Sequence, residues 1–315
     1  MRSARYILLR IPRKSRILAR KYSRKSSTSG VLSAIISSVT YGLIPLFSIP
    51  LMNKGLHFDS VLFYRFFLAA LSVALLMLIK NINFKISWKE FKTLILLSIL
   101  CNTCSLLFFL SYTFLGGGVT TTVHFMYPVF VTIIMGVFFH EKITPKNIVA
   151  ILIAILGVAL LSSGEGFRKI NLKGISCALS AAIFYAMFLV FSVKTSVKDM
   201  QVLKFTFYIQ IIGVIYLLCF CFLRGTFQWF PLQDTSSVIN MISLAIIPTI
   251  VSTVALVSAV RKIGSTLTSV LGAFEPLTAV IIGIWVFNEP FTLKMLLGIV
   301  LIITAVLGII LTHEK

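Results

Sequence analysis

Hydrophobic residues dominate ten stretches of the chain, and short polar segments separate them. Each stretch is close to the roughly 20 residues that a helix needs to cross the hydrocarbon core of a bilayer. The separating segments carry Lys, Asp, Gly and Pro, which are typical of loops at a membrane surface. The pattern predicts an all-α polytopic membrane protein whose ten spans, in chain order, are 31–50, 59–79, 93–113, 119–139, 147–163, 173–193, 202–223, 238–259, 266–287 and 293–311.

The second half of the sequence repeats the first. A shift of 148 positions aligns residues 124–164 with 272–312 without a gap, which indicates two copies of one five-helix unit. The predicted organisation is a basic tail over 1–29, a first repeat over 30–164 and a second repeat over 172–312. The aligned pairs include Pro128 with Pro276, Phe139 with Phe287, Glu141 with Glu289, Thr144 with Thr292 and Lys146 with Lys294.

The basic residues predict how the chain is oriented in the membrane. With the N-terminus inside, 21 of the 29 Lys and Arg residues fall on the inner segments and 6 on the outer ones. The positive-inside rule therefore makes both termini cytoplasmic. Five spans per copy is an odd number, so the second copy would be inverted relative to the first. Inverted repeats are a recurring architecture of secondary transporters, whose substrate site lies near the midplane between the copies.

Composition excludes a pair of ordinary soluble domains. The chain is 58% hydrophobic and 12% charged, whereas soluble domains carry about 25% charged residues. The acid-free tail supplies half of the net charge of +20. A retained cytoplasmic tail, a lipid-binding segment and an organellar targeting segment all fit such a tail. Nucleic-acid binding is disfavoured, because no folded basic domain accompanies the tail.

Several short motifs occur in order and in both halves. Together they resemble the EamA-type branch of the drug/metabolite transporter superfamily, over nearly all of residues 31–312. The resemblance implies two inverted five-helix repeats around a central cavity, and secondary transport, often export, of small metabolites. It leaves the substrate open, and helix 1 of that family more often carries Trp where this chain has Tyr41. The motifs are Tyr41-Gly42-x-x-Pro45, Tyr64-Arg65-Phe66-Phe67-Leu68-Ala69-Ala70, Tyr127-Pro128-Val129-Phe130, His140-Glu141-Lys142-Ile143, Glu275-Pro276-Leu277 and Asn288-Glu289-Pro290-Phe291-Thr292.

Ionisable residues within spans are costly in a bilayer and are therefore candidates for function. Glu275 lies about 18 Å from the end of span 9, near the membrane midplane. It would bind a cationic or amine group, or carry a coupling proton; the alternative is a protonated carboxyl that bonds across helices. Tyr127 occupies the matching position in the first repeat. His124, three residues earlier on the same helix face, is a candidate proton carrier or a satisfied hydrogen-bonding residue.

Three further residues complete the predicted binding set. Arg65 in span 2 would bind an anionic group or anchor the helix at the outer membrane surface. Asn102 in span 3 and Tyr185 in span 6 are predicted to line the cavity, although isolated polar groups often only join helices. By contrast, Glu289 lies at a helix end, where capping and inter-helix pairing explain it, and Gly116-Gly117-Gly118 indicates a tight hairpin.

The favoured function is a secondary transporter of a small organic metabolite or drug-like compound by alternating access. The family resemblance implies export as the direction. A membrane-embedded enzyme, a channel and a receptor are the alternatives, and an enzyme is disfavoured because the acidic residues other than Glu275 lie near helix ends or in loops. No cofactor or metal is predicted. The expected partners are a small solute, the bilayer and a coupling proton, with a homodimer left open. The expected location is the plasma or inner cell membrane.

Overall fold

The computed structural model describes residues 13–140, 145–162, 171–197 and 199–312. Helices occupy most of these residues, and no strand occurs among them. Residues 1–12 of the basic tail lie outside them, and from Arg13 the tail continues as the first helix. The elements are α1 Arg13–Gly42, α2 Ile44–Asn53, α3 Phe58–Ile79, α4 Trp88–Tyr112, α5 Gly117–His124, α6 Tyr127–Phe139, α7 Pro145–Ser162, α8 Leu172–Lys194, α9 Val202–Arg224, α10 Thr235–Ala245, a π-helical segment Ile246–Val251, α11 Ser252–Leu271, α12 Phe274–Phe287 and α13 Leu293–Thr312.

Within the part of the chain that the structure describes, seven helical stretches are long and apolar enough to cross a membrane. Three shorter apolar helices, Ile148–Gly157, Phe274–Phe287 and Leu293–Gly308, fall on predicted spans 5, 9 and 10. Large apolar side chains such as Leu75, Leu78 and Trp285 are exposed on the outside of the bundle, as expected for a surface that faces lipid. The protein is thus an all-helical, multi-pass membrane protein, and the count of ten spans stays a prediction.

Proline explains where the spans are interrupted. Pro45 and Pro128 each lie at the second position of a helix that follows a break, and Pro276 lies at the third position of such a helix. In the first turn of a helix the missing N–H of proline costs no helical hydrogen bond. Pro248 lies inside the π-helical segment that separates α10 from α11. Predicted spans 1, 4, 8 and 9 are therefore discontinuous or distorted, and each interruption leaves polar backbone groups for other partners.

The main helix contacts join one repeat to the other. The closest packing partners are α1 with α11, α3 with α9, α4 with α8, α5 with α12 and α7 with α13. In span numbers these pairs are 1–8, 2–7, 3–6, 4–9 and 5–10. Exchanging each span with its equivalent five positions later leaves this set of pairs unchanged. The packing therefore has the pseudo-two-fold relation that the repeated sequence implies.

Polar contacts tie the helix ends of the two halves together. Lys54 donates to the carboxylate of Asp234 at 2.5 Å, joining the end of α2 to the start of α10. Asp234 also accepts from Ser237, and these partners lower the pKa of its carboxyl to about 2. Nearby, the Tyr64 hydroxyl donates to the carbonyl of Gln228 at 3.0 Å. These contacts lie on the side of the bundle that the charge pattern predicts to be the outer one.

Candidate functional site

The helix interruptions converge in the middle of the bundle, between the two repeats. α5 ends at His124 and α6 starts at Tyr127, while α12 starts one residue before Glu275. At the end of α1, Gly42 approaches the second repeat so closely that a Cβ there would lie 2.6 Å from the carbonyl oxygen of Glu275. This close approach of α1 to α12 brings Tyr41, the residue before Gly42, toward the same region.

Glu275 is buried, with 8% of its surface exposed. Its Oε1 atom has no hydrogen-bond partner among the described residues. The carboxyl is close enough to four tyrosine hydroxyl groups to interact with them electrostatically; they belong to Tyr41, Tyr112, Tyr127 and Tyr185. A buried carboxyl with a free oxygen is costly unless a ligand, water or proton satisfies it.

Aromatic rings from both repeats lie near this carboxyl. The His124 ring lies 4.7 Å from the Phe108 ring and 5.4 Å from the Tyr185 ring, measured between centroids. Tyr127 and Tyr185 meet edge to face at 4.8 Å. The Nδ1 atom of His124 is buried and has no hydrogen-bond partner in the described part of the chain. The structure thus brings four of the six predicted residues, Glu275, His124, Tyr127 and Tyr185, into one place.

Arg65 lies beside this group and points into the bundle. Its Nε atom donates to the hydroxyl of Thr249, in the π-helical segment, at 3.0 Å. Its guanidinium also lies over the rings of Phe66 and Phe109, at 5.6 and 5.7 Å. It is close enough to Tyr41 and Tyr112 to interact with them electrostatically. Because Arg65 is only 5% exposed, this geometry favours an inward role over anchoring at the membrane surface.

Asn102 lies apart from the other predicted residues. Its amide donates to the Ser98 carbonyl at 2.7 Å and to the Ser98 hydroxyl at 3.0 Å, within the same helix. The side chain packs on Gly213 of α9, where an added Cβ would be 2.6 Å from the amide. The Asn102 side chain therefore packs α4 against α9, while its Oδ1 atom is buried and has no hydrogen-bond partner among the described residues.

Sequence reasoning missed Tyr41 and Tyr112 as members of the site. Tyr41 stands out in the sequence only as part of a motif, although it immediately precedes Gly42, where the first helix ends and comes close to the second repeat. Tyr112 ends α4 and had no distinguishing signal, since a tyrosine at the end of a span is typical of a membrane interface. We refer to Tyr41, Tyr112, His124, Tyr127, Tyr185 and Glu275 as the polar cluster.

The polar cluster suits an organic solute better than a metal ion. Among the described residues, no three His, Cys, Asp or Glu side chains come together as metal ligands. Instead, one carboxyl, one imidazole and several phenol groups face each other, with a guanidinium alongside. Such a set can donate and accept hydrogen bonds, stack on a planar or apolar body, and hold one positive charge or one proton.

The family model for EamA-like transporters matches residues 28–163 and again residues 172–311. The chain belongs to the EamA-like transporter family. Among its relatives, an uncharacterized transporter of Archaeoglobus fulgidus is 25% identical over 83% of this chain and 95% of its own. The uncharacterized transporter YoaV of Bacillus subtilis is 24% identical over 80% of this chain and 87% of its own.

A solved crystal structure supports the same fold for this EamA-like protein. It superposes with a TM-score of 0.63 and covers 91% of this chain and 98% of the other, at 14% identity. At that identity the likeness shows the fold alone. Family membership and the apolar helices together make this chain a multi-pass membrane protein of a transporter family. The resemblance inferred from the sequence motifs is thereby confirmed.

Proposed function

We propose that this EamA-like protein is a secondary transporter that moves a small organic solute through the space at the polar cluster. One observation carries the proposal: at a helix break between the two repeats, Glu275 places a buried carboxyl oxygen that has no hydrogen-bond partner among the described residues. Discontinuous helices that meet at the boundary of two repeats are where secondary transporters bind their substrates and coupling ions.

In this mechanism Glu275 is the group that changes its partner during the cycle. It binds a cationic or amine group of the solute, or it takes up a coupling proton when the solute leaves. The aromatic rings around His124 and Tyr185 hold the organic body of the solute, and the phenol hydroxyl groups satisfy its polar atoms. Arg65, which is within electrostatic range of Tyr41, binds an anionic group of the solute.

Alternating access follows from the pairing of the repeats. Each span of one repeat packs on a span of the other, so that a small rotation of one repeat closes one side of the bundle and opens the other. The proposal includes inverted repeats with both termini cytoplasmic, a cell-membrane location and export as the direction. The excess of basic residues on the predicted inner segments supports the orientation, and the resemblance to exporters supports the direction.

The proposal is tested by untargeted metabolite profiling of the medium and cytosol of cells that express the protein. Four cultures are compared: wild type, Glu275→Gln, Glu90→Gln and empty vector. Glu90 is a matched control, because it caps the start of α4 with Ser87, far along the helix from Tyr112. We expect wild type and Glu90→Gln to move a metabolite that Glu275→Gln and the empty vector do not move.

Equal movement of that metabolite by Glu275→Gln, at matched membrane expression, would remove Glu275 from the mechanism and leave it a structural role. No difference between wild type and empty vector, in hosts with different metabolite pools, would contradict the transporter proposal itself.

A further inference from the structure

Glu289 reaches from the second repeat into the first. The Gly117 N–H, at the start of α5, donates to Oε1 of Glu289 at 2.7 Å. Glu289 is held in position by the end of α12: Asn288 adopts a left-handed conformation with φ 51°, and the Glu289 N–H donates to the carbonyl of Gly283 at 2.9 Å. Glu289, which the sequence predicts to cap the end of its own helix, therefore contacts α5 of the other repeat.

Glycines from both repeats make room for this carboxylate. A Cβ at Gly116 or at Gly283 would overlap the Glu289 carboxylate, and one at Gly118 would lie 3.4 Å from its Oε2 atom. We call Gly116, Gly118 and Gly283 the glycine cradle. The glycine triplet at 116–118 thus does more than allow a tight hairpin, because it lets a carboxylate approach the backbone at the start of α5.

The contact between Glu289 and the start of α5 is favourable, but not every oxygen of the carboxylate has a hydrogen-bond partner. The first turn of a helix carries free N–H groups and a partial positive charge, which attract a carboxylate. Oε2 of Glu289, however, is buried and has no hydrogen-bond partner among the described residues. One oxygen is thus held and the other is not, so water can compete for the carboxylate when the two helices separate.

The glycine cradle lies on a path to the polar cluster. Gly117 and His124 are seven residues apart on α5, about 11 Å along the helix axis. The Tyr112 hydroxyl is within electrostatic range of both Glu275 and Glu289. α5 and α12 pack against each other along this distance. Holding or releasing Glu289 therefore controls one end of the α5–α12 contact, on the predicted outer side.

We propose that Glu289 is a latch, whose carboxylate in the glycine cradle holds α5 against α12 and whose release opens a route from that side to the polar cluster. The inference rests on the proposed transport function, since a latch has a purpose only if a solute passes. It assigns Glu289 a role in the conformational cycle beyond the capping role that its position in the sequence suggests.

The test measures the opening directly and needs no solute. In a protein with Cys101, Cys104, Cys177, Cys219 and Cys221 replaced, a single cysteine is placed at Thr121, which is buried in α5 one turn beyond Gly117 and beside Tyr112. The rate of maleimide labelling is measured on purified protein in detergent. Glu289→Ala and Gly116→Ala should each raise this rate about tenfold, which corresponds to about 1.4 kcal/mol of lost closed-state stabilisation.

Two further variants separate the latch from a general loss of packing. Gly308→Ala is the matched control, because among the described residues the nearest atom to its Cβ would be the Cβ of Ala150 at 3.9 Å, and it should leave the labelling rate unchanged. Glu289→Gln keeps an oxygen for the Gly117 N–H but loses the charge, and its rate should lie between wild type and Glu289→Ala. Folding is checked by size-exclusion chromatography.

Equal labelling rates in wild type, Glu289→Ala and Gly116→Ala would overturn the proposal. Loss of folded protein in all three latch variants would also overturn it and make Glu289 a static cap. If the variants label at the wild-type rate and the protein moves a metabolite, only the latch proposal is overturned. If the variants label faster but the protein moves no metabolite in any host, the transporter proposal is overturned, while the contact of Glu289 with the glycine cradle remains one that can be released.

Discussion

Spans 4 and 9 are each interrupted next to a proline at the equivalent position of the repeat, but the side chains beside the two interruptions differ. In the first repeat His124 and Tyr127 flank the break before Pro128, and in the second repeat Gly272 and Glu275 occupy the equivalent positions before Pro276. The first repeat contributes the rings of His124 and Tyr127, whose centroids lie 6.0 Å apart, and Tyr185 of the second repeat meets Tyr127 edge to face. The second contributes a carboxyl with an oxygen that no described residue satisfies.

This difference shows that two repeats with a similar backbone can carry different side chains at equivalent positions, so that the candidate site between them is not symmetric. Proline favours the same backbone in both copies, because it lacks an N–H and therefore suits the first turn of a helix that follows a break. The residue before it is free to vary, since its side chain points into the space between the repeats. The two copies can therefore bind the two ends of one asymmetric solute.

The largest expected effect distinguishes the two residues before proline. Glu275→Gln should lower the transport rate about tenfold or more, because it removes a charged or protonatable group worth about 1.5–3 kcal/mol in a hydrogen bond. Tyr127→Phe loses only a neutral hydroxyl, and its transport rate should stay within about threefold of wild type. Uptake or efflux of the metabolite found by profiling, measured at matched expression, gives both values. Equal losses in the two variants would mean that both repeats contribute alike and would break the comparison.

A smaller effect should distinguish the polar cluster from Asn102. In Gly213→Ala the new Cβ meets the Asn102 amide, so the free energy of unfolding should fall by about 1–3 kcal/mol, as for overpacking of a well-packed interior. The transport rate per folded molecule should be unchanged. Thermal unfolding in detergent checks the first value, and Gly308→Ala serves as the control. A change in transport without a change in stability would return Asn102 to the binding site.

The smallest expected effect concerns the contacts at the helix ends. Asp234 has a pKa of about 2 in the folded protein, below that of a free carboxyl, so its ion pair with Lys54 stabilises the fold above about pH 4. This contribution is lost as the pH falls from about 4 to about 2. Asp234→Asn should therefore lower the melting temperature slightly at pH 7 and not at pH 2. A shift of the same size at both pH values would contradict the assigned ion pair.

The fold was largely predictable because each part of it has a local cause. Apolar runs of membrane length, prolines at matching positions and the 148-residue register all lie in short stretches of sequence. The binding set stays a prediction: Glu275 follows from its ionisable group within a span, Tyr127 from its matching position in the other repeat, and His124 from its place three residues before Tyr127. Asn102 was predicted to line the cavity but packs on Gly213, because the side of α4 that faces the cavity depends on how the helix is rotated in the bundle. Glu141, the equivalent of Glu289, lies outside the described residues.

By itself the sequence determined that this protein is a two-copy, all-helical membrane protein with an ionisable group near the middle of a span, since hydropathy, repetition and proline act through neighbouring residues. The tertiary structure alone decided which groups come together: Tyr41 and Tyr112 within electrostatic range of Glu275, Arg65 in a hydrogen bond with Thr249, and Glu289 in a hydrogen bond with the Gly117 N–H. Each of these pairs joins one repeat to the other. Their geometry depends on helix rotation and packing, which no periodicity within a single span specifies.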